Sequence, residues 1–416
     1  MSSLRIVKGG VCSAKGFRAA GVAAEIKYKG RNDVALIVAD EPCAAAAVFT
    51  TNKVAAAPVL YDREVLRGRG SPRSQDGGPR IQAILANSGC ANACTGEQGL
   101  KDAKLSALVT AGELGIDPRH VLVASTGVIG RPLPMDRLLA GMKAAAKGLG
   151  STAAHGLAAE KAVMTTDTRP KEACVKTTIG GRTVTVGGMS KGSGMIEPNM
   201  ATMLGFITTD AAISPAMLKR ALGLAINKSF NRVVVDGDES TNDSVFLLAS
   251  GKAGNRTIAK GGKDFDAFRA ALEAVCVSLA RQMATDGEGA TKFVTVTVKG
   301  ARSEKDAARA ARAVAKSPLA KTSWFGRDPN WGRVLAAVGY SGADVVDMKT
   351  EVFYDRVWAF KCGKVADAAQ LKKLAKVLKK DAFEVVVDLH LGKGESSVYT
   401  CDFSLDYVHI NADYTT

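Results

Sequence analysis

The chain has 416 residues, of which 46% are hydrophobic and 23% are charged, and its formal net charge is +15. No apolar run approaches the roughly 18 residues that a membrane-spanning helix requires, and the first residues lack the apolar core of a signal peptide. We therefore expect a globular protein with no membrane partner, located in the cytoplasm or, in a eukaryote, in the mitochondrial matrix.

Apolar, β-rich runs alternate with runs of helical spacing along the whole chain. Strands are predicted at 34–38, 81–86, 121–124, 183–186, 203–209, 233–235, 245–248, 293–298, 351–360, 384–389 and 397–407. Helices are predicted at 101–114, 135–149, 215–227, 265–284, 304–316 and 368–380. This mixture predicts an α/β fold in which layered sheets are covered by outer helices.

The excess of basic residues raises the question of a polyanion partner, since a high pI is typical of proteins that bind nucleic acids. The basic residues are dispersed, however, and only 6% of the residues are aromatic. We expect no nucleic-acid partner. A noncatalytic protein that binds RNA or another polyanion is the alternative from a different functional class.

The residue types that commonly bind metals do not form a recognisable site in the sequence. The eight cysteines contain no CxxC pair, and Cys90 and Cys94 have no cluster of His or Cys nearby. The acidic residues Asp236, Asp238 and Asp243 lack the spacing of an EF-hand loop. We expect no metal site.

The segment 191–204 joins a glycine-rich bend to one threonine, Thr202, which follows the small residue Ala201. The α-amino group of an N-terminal threonine can take the proton of its own hydroxyl and so activate it as a nucleophile. Before cleavage, the Thr202 hydroxyl can attack the Ala201 carbonyl carbon and move the acyl group from nitrogen to oxygen, after which water releases the ester. On the residues alone, an ordinary glycine-rich loop that leads into the strand at 203–209 is the preferred interpretation.

Two further polar turns interrupt the predicted elements. Thr126 and Gly127 follow a strand, where a hydroxyl and backbone N–H groups can converge on a developing oxyanion. Thr165 and Thr166 lie in the 164–171 loop, whose composition is also that of a simple Asp/Thr turn.

Charged and polar groups suited to an amino-acid ligand occur at three more places. Lys191 can pair with an α-carboxylate, although a lysine is usually solvent-exposed. Glu288 lies between two glycines after a long helix, which leaves its carboxylate free to meet an amino group. The polar run at 410–416 contains Asn411 and Thr416, where a frayed terminus is the simplest expectation.

The string Lys-Gly-Ser-Gly-Met-Ile-Glu-Pro-Asn-Met-Ala-Thr-Met-Leu at 191–204 closely resembles the self-processing segment of the ornithine acetyltransferase family, the bifunctional glutamate N-acetyltransferases. The resemblance extends over almost the whole chain. It implies cleavage between Ala201 and Thr202, with Thr202 as the nucleophile. It also implies that Thr126 and Gly127 form the oxyanion hole. The substrate-binding residues that it implies are Thr165 or Thr166, Lys191, Thr202, Glu288, Asn411 and Thr416.

The resemblance further implies an acetyltransferase of arginine biosynthesis, which moves the acetyl group from N2-acetylornithine to glutamate through an acyl-threonine. Residues 1–201 form the α chain and residues 202–416 the β chain, and these chains stay together in an α2β2 assembly. The cycle requires no cofactor, although some members also accept acetyl-CoA as the donor. A self-processing amidase or aminopeptidase is the alternative among enzymes, because an acyl-threonine can equally be passed to water.

The sequence departs from the family pattern in two places. Cys90 stands where the family usually has asparagine, and the glycine- and proline-rich loop at 67–80 is longer than usual. We expect neither departure to touch a mapped catalytic position.

Overall fold

The computed structural model describes residues 4–68, 78–197 and 203–413. The strands are, in chain order, β1 (Arg5–Val7), β2 (Phe17–Val22), β3 (Val34–Phe49), β4 (Arg80–Asn87), β5 (Val121–Ser125), β6 (Glu172–Ile179), β7 (Arg182–Lys191), β8 (Leu204–Thr209), β9 (Val233–Val234), β10 (Ser244–Ala249), β11 (Phe293–Ala301), β12 (Glu351–Tyr354), β13 (Val357–Lys361), β14 (Lys364–Val365), β15 (Ala382–Asp388) and β16 (Gly394–Cys401). The helices are α1 (Ala57–Arg67), α2 (Gly96–Leu114), α3 (Met135–Lys147), α4 (Ala153–Val163), α5 (Pro215–Lys228), α6 (Lys263–Thr285), α7 (Glu304–Lys316), α8 (Pro318–Phe325), α9 (Trp331–Gly339), α10 (Ala368–Leu378) and α11 (Leu405–Asp413). The predicted α/β class is confirmed.

The first sheet has the strand order β1-β6-β7-β8-β10-β3-β4-β5, and β2 also pairs with β3. The long strand β3 pairs with different strands along its length: residues 34–39 pair with β2, and residues 44–49 pair with β10. β8 is antiparallel to β7 and parallel to β10. Strands that follow residue 202 therefore lie inside a sheet whose other strands precede it.

Helices cover both faces of this sheet. On one face, α5 and α6 contribute Leu218, Leu222, Phe268 and Leu272 to a buried cluster. These residues recur every four positions, which is the spacing that keeps apolar side chains on one side of a helix. On the other face, α4 packs its small residues against β2 and β3.

The second sheet has the strand order β14-β13-β12-β15-β11-β16-β9. Its core contains Ala307, Ala310, Ala311 and Val314 of α7, which are all fully buried. The alanines have little volume, so the α7 backbone can approach the sheet closely. Across the described residues, no helix is both long and apolar enough to cross a membrane.

Two predicted strands were wrong because they continue past the end of the observed strand, whereas the predicted strand at 34–38 is only the first part of β3. The run 351–360 is a hairpin of β12 and β13, with a turn at Asp355, where φ is +54°. The run 397–407 is strand only to Cys401, and α11 begins at Leu405. The elements without a predicted counterpart are β1, β2, β6, β14, α1, α4, α8, α9 and α11.

Candidate active site

A cleft opens where the turn after β5, the loop before β6, the end of β7 and the turn after α6 meet. It has about 610 Å³ of empty space, including its open mouth. It is lined by Ala91, Thr126, Gly127, Ile129, Thr165, Thr166, Lys191, Gly194, Met195, Ser240, Thr241, Asn242, Glu288 and Asn411. This set includes each sequence-predicted site residue that the structure describes. Ala201, Thr202 and Thr416 lie outside the described residues.

The turn at 126–127, here called the β5 turn, forms one wall of the cleft. Gly127 has a φ of +130°, and a Cβ there would lie 2.4 Å from the carbonyl carbon of Gly89, so only glycine fits. The Thr126 N–H donates to the Asn87 carbonyl at 3.0 Å. The Gly127 N–H, in contrast, has no acceptor among the described residues. It is therefore available to a ligand in the cleft.

Asn242 holds the β5 turn in place through hydrogen bonds to backbone carbonyls. This residue was not singled out in the sequence analysis. Its Nδ2 donates to the Ala91 carbonyl at 2.6 Å and to the Ser125 carbonyl at 2.8 Å. Asn242 lies in a polar run between β9 and β10, together with Ser240 and Thr241. A polar run between two buried strands was the sequence signal that could have pointed to Asn242.

Lys191 ends β7 and is only 3% exposed, so it is not the solvated lysine that its residue type favours. Its Nζ donates to Oγ1 of Thr126 at 3.2 Å. Burial lowers the pKa of the Lys191 ammonium, and the charge of Asp167 is the first to oppose that effect. The ammonium thus lies beside the β5 turn, in a setting where a second anion would stabilise it.

Asp167 joins the two loops beside Lys191. Its Oδ1 accepts the Gly192 N–H at 2.7 Å, and its Oδ2 accepts the Thr165 N–H at 3.0 Å. Burial raises the pKa of this carboxyl, but the nearby charges of Lys191 and Lys171 outweigh burial and bring the pKa to about 2. Asp167 is therefore an anion at neutral pH.

Glu288 faces the same cleft from the turn after α6. Its N–H donates to the Ser193 carbonyl at 2.9 Å, and its Oε2 accepts from Nδ2 of Asn411 on α11 at 2.8 Å. Gly194 allows this approach, because a Cβ there would lie 2.2 Å from Oε2 of Glu288. Lys191, Glu288 and Asn411 are called the polar wall below.

Thr165 and Thr166 both line the cleft, so the choice between them as a substrate contact stays open. The Thr166 hydroxyl is within hydrogen-bonding distance of the Ser193 hydroxyl, at 2.7 Å. Thr165 is held through its backbone N–H, as described above, which leaves its hydroxyl the less engaged of the two.

Backbone contacts anchor the chain on both sides of residues 198–202. Upstream, Asp236 accepts the N–H groups of Met195 at 2.5 Å and Ile196 at 2.8 Å. Downstream, Asp243 accepts the Met203 N–H at 2.9 Å. These two carboxyls, part of the acidic set noted in the sequence, each bind backbone N–H groups. Among the described residues, no group of three or more His, Cys, Asp or Glu side chains is arranged to hold a metal ion.

The expectation that Cys90 touches no mapped catalytic position was wrong. Cys90 forms β-bridges with both Thr126 and Val128, and its side chain is buried and donates to the Arg131 carbonyl. A Cβ on Gly127 would lie 2.6 Å from the Cys90 backbone nitrogen. Cys90 is therefore part of the support of the β5 turn.

Comparisons with known proteins agree over most of the chain. The model of the ArgJ family matches residues 18–416. The chain is 51% identical over 404 residues to the arginine biosynthesis bifunctional protein ArgJ of Geobacter sulfurreducens, covering 97% of this chain and 100% of the relative. It is 45% identical over 427 residues to the glutamate N-acetyltransferase of Methanocaldococcus jannaschii, covering 99% of this chain and 100% of the relative. The solved ornithine acetyltransferase from Mycobacterium tuberculosis, complexed with ornithine, is 39% identical, covers 47% of this chain and 99% of that chain, and has a TM-score of 0.42.

Proposed function

The chain belongs to the ArgJ family, and we propose that it transfers the acetyl group of N2-acetylornithine to glutamate in arginine biosynthesis. The observation that carries the proposal is the meeting of neutral donors and fixed charges in one cleft. The Thr126 hydroxyl and the Gly127 N–H lie in the β5 turn, and Lys191 and Glu288 line the same cleft, with Lys191 hydrogen-bonded to Thr126.

We propose that the chain is cut between Ala201 and Thr202, so that Thr202 becomes an N-terminal nucleophile. Chain connectivity supports this role. Leu204, two positions after the proposed nucleophile, pairs with the cleft-lining residue Lys191 in the ladder between β7 and β8.

The first half-reaction forms an acetyl ester on Thr202. The α-amino group of Thr202 takes the hydroxyl proton while the oxygen attacks the acetyl carbonyl carbon of N2-acetylornithine. The negative oxygen of the tetrahedral intermediate accepts hydrogen bonds from the Thr126 hydroxyl and the Gly127 N–H, each worth about 3 kcal/mol to the transition state. The C–N bond then breaks, and the amine of ornithine leaves with the proton. In the second half-reaction the α-amine of glutamate attacks the ester by the reverse path.

One pocket serves both substrates because both are α-amino-acid compounds with an α-carboxylate, which the Lys191 ammonium pairs with. The Glu288 carboxylate faces the free δ-amino group of N2-acetylornithine, which takes no part in the transfer. Thr165 or Thr166 and Asn411 complete the contacts, together with Thr416 in this proposal. The cycle needs no cofactor, and it takes place in an α2β2 assembly of the two chains in the cytoplasm.

Acetyl transfer tests this function directly. Purified protein incubated with N2-acetylornithine and glutamate should yield ornithine and N-acetylglutamate, with parallel double-reciprocal lines. N2-acetylornithine alone should add about 42 Da, the mass of an acetyl group, to the 202–416 fragment. Free acetate without acetylated glutamate would instead identify an amidase. Replacing N2-acetylornithine by acetyl-CoA tests for the second donor.

A further inference from the structure

Behind the polar wall, the buried Lys171 bridges two aspartates that the transfer cycle does not use. Its Nζ lies 2.6 Å from Oδ1 of Asp167 and 2.6 Å from Oδ2 of Asp286, and none of the three side chains is more than 2% exposed. Nζ also donates to the Arg169 carbonyl at 3.3 Å. The three protons of the ammonium are therefore all engaged.

These three residues connect the segments that present the substrate-facing groups. Asp167 binds the backbone of the 164–171 loop and of Gly192, as described above. Asp286 accepts the Thr168 N–H at 3.1 Å and stands two residues before Glu288. Lys171 thus ties both loops beside Lys191 to the turn that carries Glu288.

A buried ion cluster is a weak explanation for stability alone, because removing charges from water costs about as much free energy as pairing them recovers. The Asp167 carboxylate of this cluster has a second cationic neighbour, Lys191. Lys191 is buried, and the charged groups that face it are Asp167, Lys171, Glu288 and Asp243. Asp167 makes the largest contribution in favour of its ammonium form, since burial itself disfavours that form.

We infer, on the basis of the proposed function, that Lys171, Asp167 and Asp286 are positioning residues that hold an anionic carboxylate behind Lys191. The cluster keeps the Lys191 ammonium charged and aimed at the substrate carboxylate. Without the Lys171 charge, two carboxylates no more than about 5 Å apart would repel each other, with Arg169, 3.5 Å from Asp286, as the remaining cation on that side. Loss of Lys171 would therefore raise the pKa of Asp167 and weaken its support of Lys191.

The test is the pH dependence of ornithine binding, measured by calorimetry on the cleaved protein. In Asp167→Asn, the loss of the anion lowers the pKa of Lys191, so the alkaline loss of binding should begin about one pH unit lower than in the wild type. The ionisation of ornithine itself is common to both proteins. A Kd raised equally at every pH, with the alkaline limb unmoved, would reduce the cluster to a structural role and overturn the inference.

Glu160→Gln is the matched control, since the Glu160 carboxyl accepts the backbone N–H of Lys171 at 3.0 Å in the same buried region. Burial raises the pKa of this carboxyl well above its usual range and so favours its neutral form, and Glu160 is not among the charged groups that face Lys191. The alkaline limb of ornithine binding by the Glu160→Gln variant should coincide with that of the wild type.

Lys171→Met and Lys171→Arg test the inference independently if Asp167→Asn does not fold. The methionine variant should bind ornithine at least tenfold more weakly, and the arginine variant, which keeps the charge, should recover most of that loss. Equal loss in both variants would overturn the inference. Failure of the proposed function itself would look different, because the wild type would then neither bind ornithine nor transfer acetyl groups.

Discussion

The β5 turn and the polar wall lie side by side in the cleft, joined by the hydrogen bond from Lys191 to Thr126, and they are built differently. The turn presents the Thr126 hydroxyl and the Gly127 N–H. The turn itself is held by the hydrogen bond from the Thr126 N–H to the Asn87 carbonyl and by the bond from Asn242 to the Ser125 carbonyl. The polar wall presents a buried ammonium and a carboxylate. Fixed neutral donors suit a negative charge that exists only in the transition state, whereas full charges suit groups that the substrate carries throughout. Chemistry and binding should therefore separate between the two walls.

Loss of the proposed nucleophile should have the largest effect, because in the proposed mechanism both the β5 turn and the polar wall act on the reaction at Thr202. We expect Thr202→Ala to abolish both acetyl transfer and cleavage. Mass spectrometry under denaturing conditions should show one chain of 43.3 kDa, against wild-type fragments of about 21 and 22 kDa. Thr202→Ser keeps a hydroxyl and should still be cut. A cut and active Thr202→Ala protein would remove Thr202 from the mechanism.

Removal of the Thr126 hydroxyl should affect mainly the chemical step. Thr126→Ala should lower kcat by about a hundredfold or more, with little change in KM, because the lost donor acts on the oxyanion. Thr126→Ser is the control that restores a hydroxyl. Each variant is checked first for the two fragments, since the same turn can serve cleavage. An unchanged kcat in a fully cut Thr126→Ala protein would leave the Gly127 N–H as the remaining donor.

Neutralising the polar wall should affect mainly substrate affinity. Lys191→Met and Glu288→Gln should each raise KM by roughly tenfold to a hundredfold, the effect of losing a hydrogen bond to a charged group. Initial rates over a range of substrate concentrations separate KM from kcat. If Lys191→Met lowered kcat and Glu288→Gln did not, the result would show that the hydrogen bond from Nζ of Lys191 to Thr126 couples the polar wall to the β5 turn.

The smallest effect is expected at the exposed end of the polar wall. Asn411→Ala removes one hydrogen bond to Glu288, and its side chain is exposed, so KM should rise only about two- to tenfold. Asn411→Asp is an informative companion, since it places a second carboxylate beside Glu288. A larger effect of the alanine change would mean that α11 itself is displaced.

Sequence patterns predicted most of the strands and helices but failed where one spacing fits two structures. Phe403 and Tyr407 stack with ring centroids 4.6 Å apart. A separation of four residues fits both the alternation of a strand and the turn of a helix, so the run to residue 407 was predicted as strand. The β12–β13 turn was missed because Asp355 adopts a positive φ without the usual Asn-Gly signal.

The candidate site was predictable where a residue has a local motif. Thr126 and Gly127 end a strand in a small-residue turn, and Glu288 stands between glycines. The polar run that contains Asn242 does not reveal its partners, and Lys171 has no local motif, because both roles depend on residues far away in the sequence. Lys171, for example, is paired with Asp286, 115 residues away. Only the fold brings these partners together.

The position of β8 and β10 bears on the proposed cut before Thr202. Both strands follow residue 202, and they lie between β7 and β3, which precede it. Every residue of β8 pairs with a residue of β7, and every residue of β10 pairs with a residue of β3. The peptide bond before Thr202 is therefore not what unites the two halves. Dissociation of the cleaved fragments and unfolding of the first sheet would be the same event.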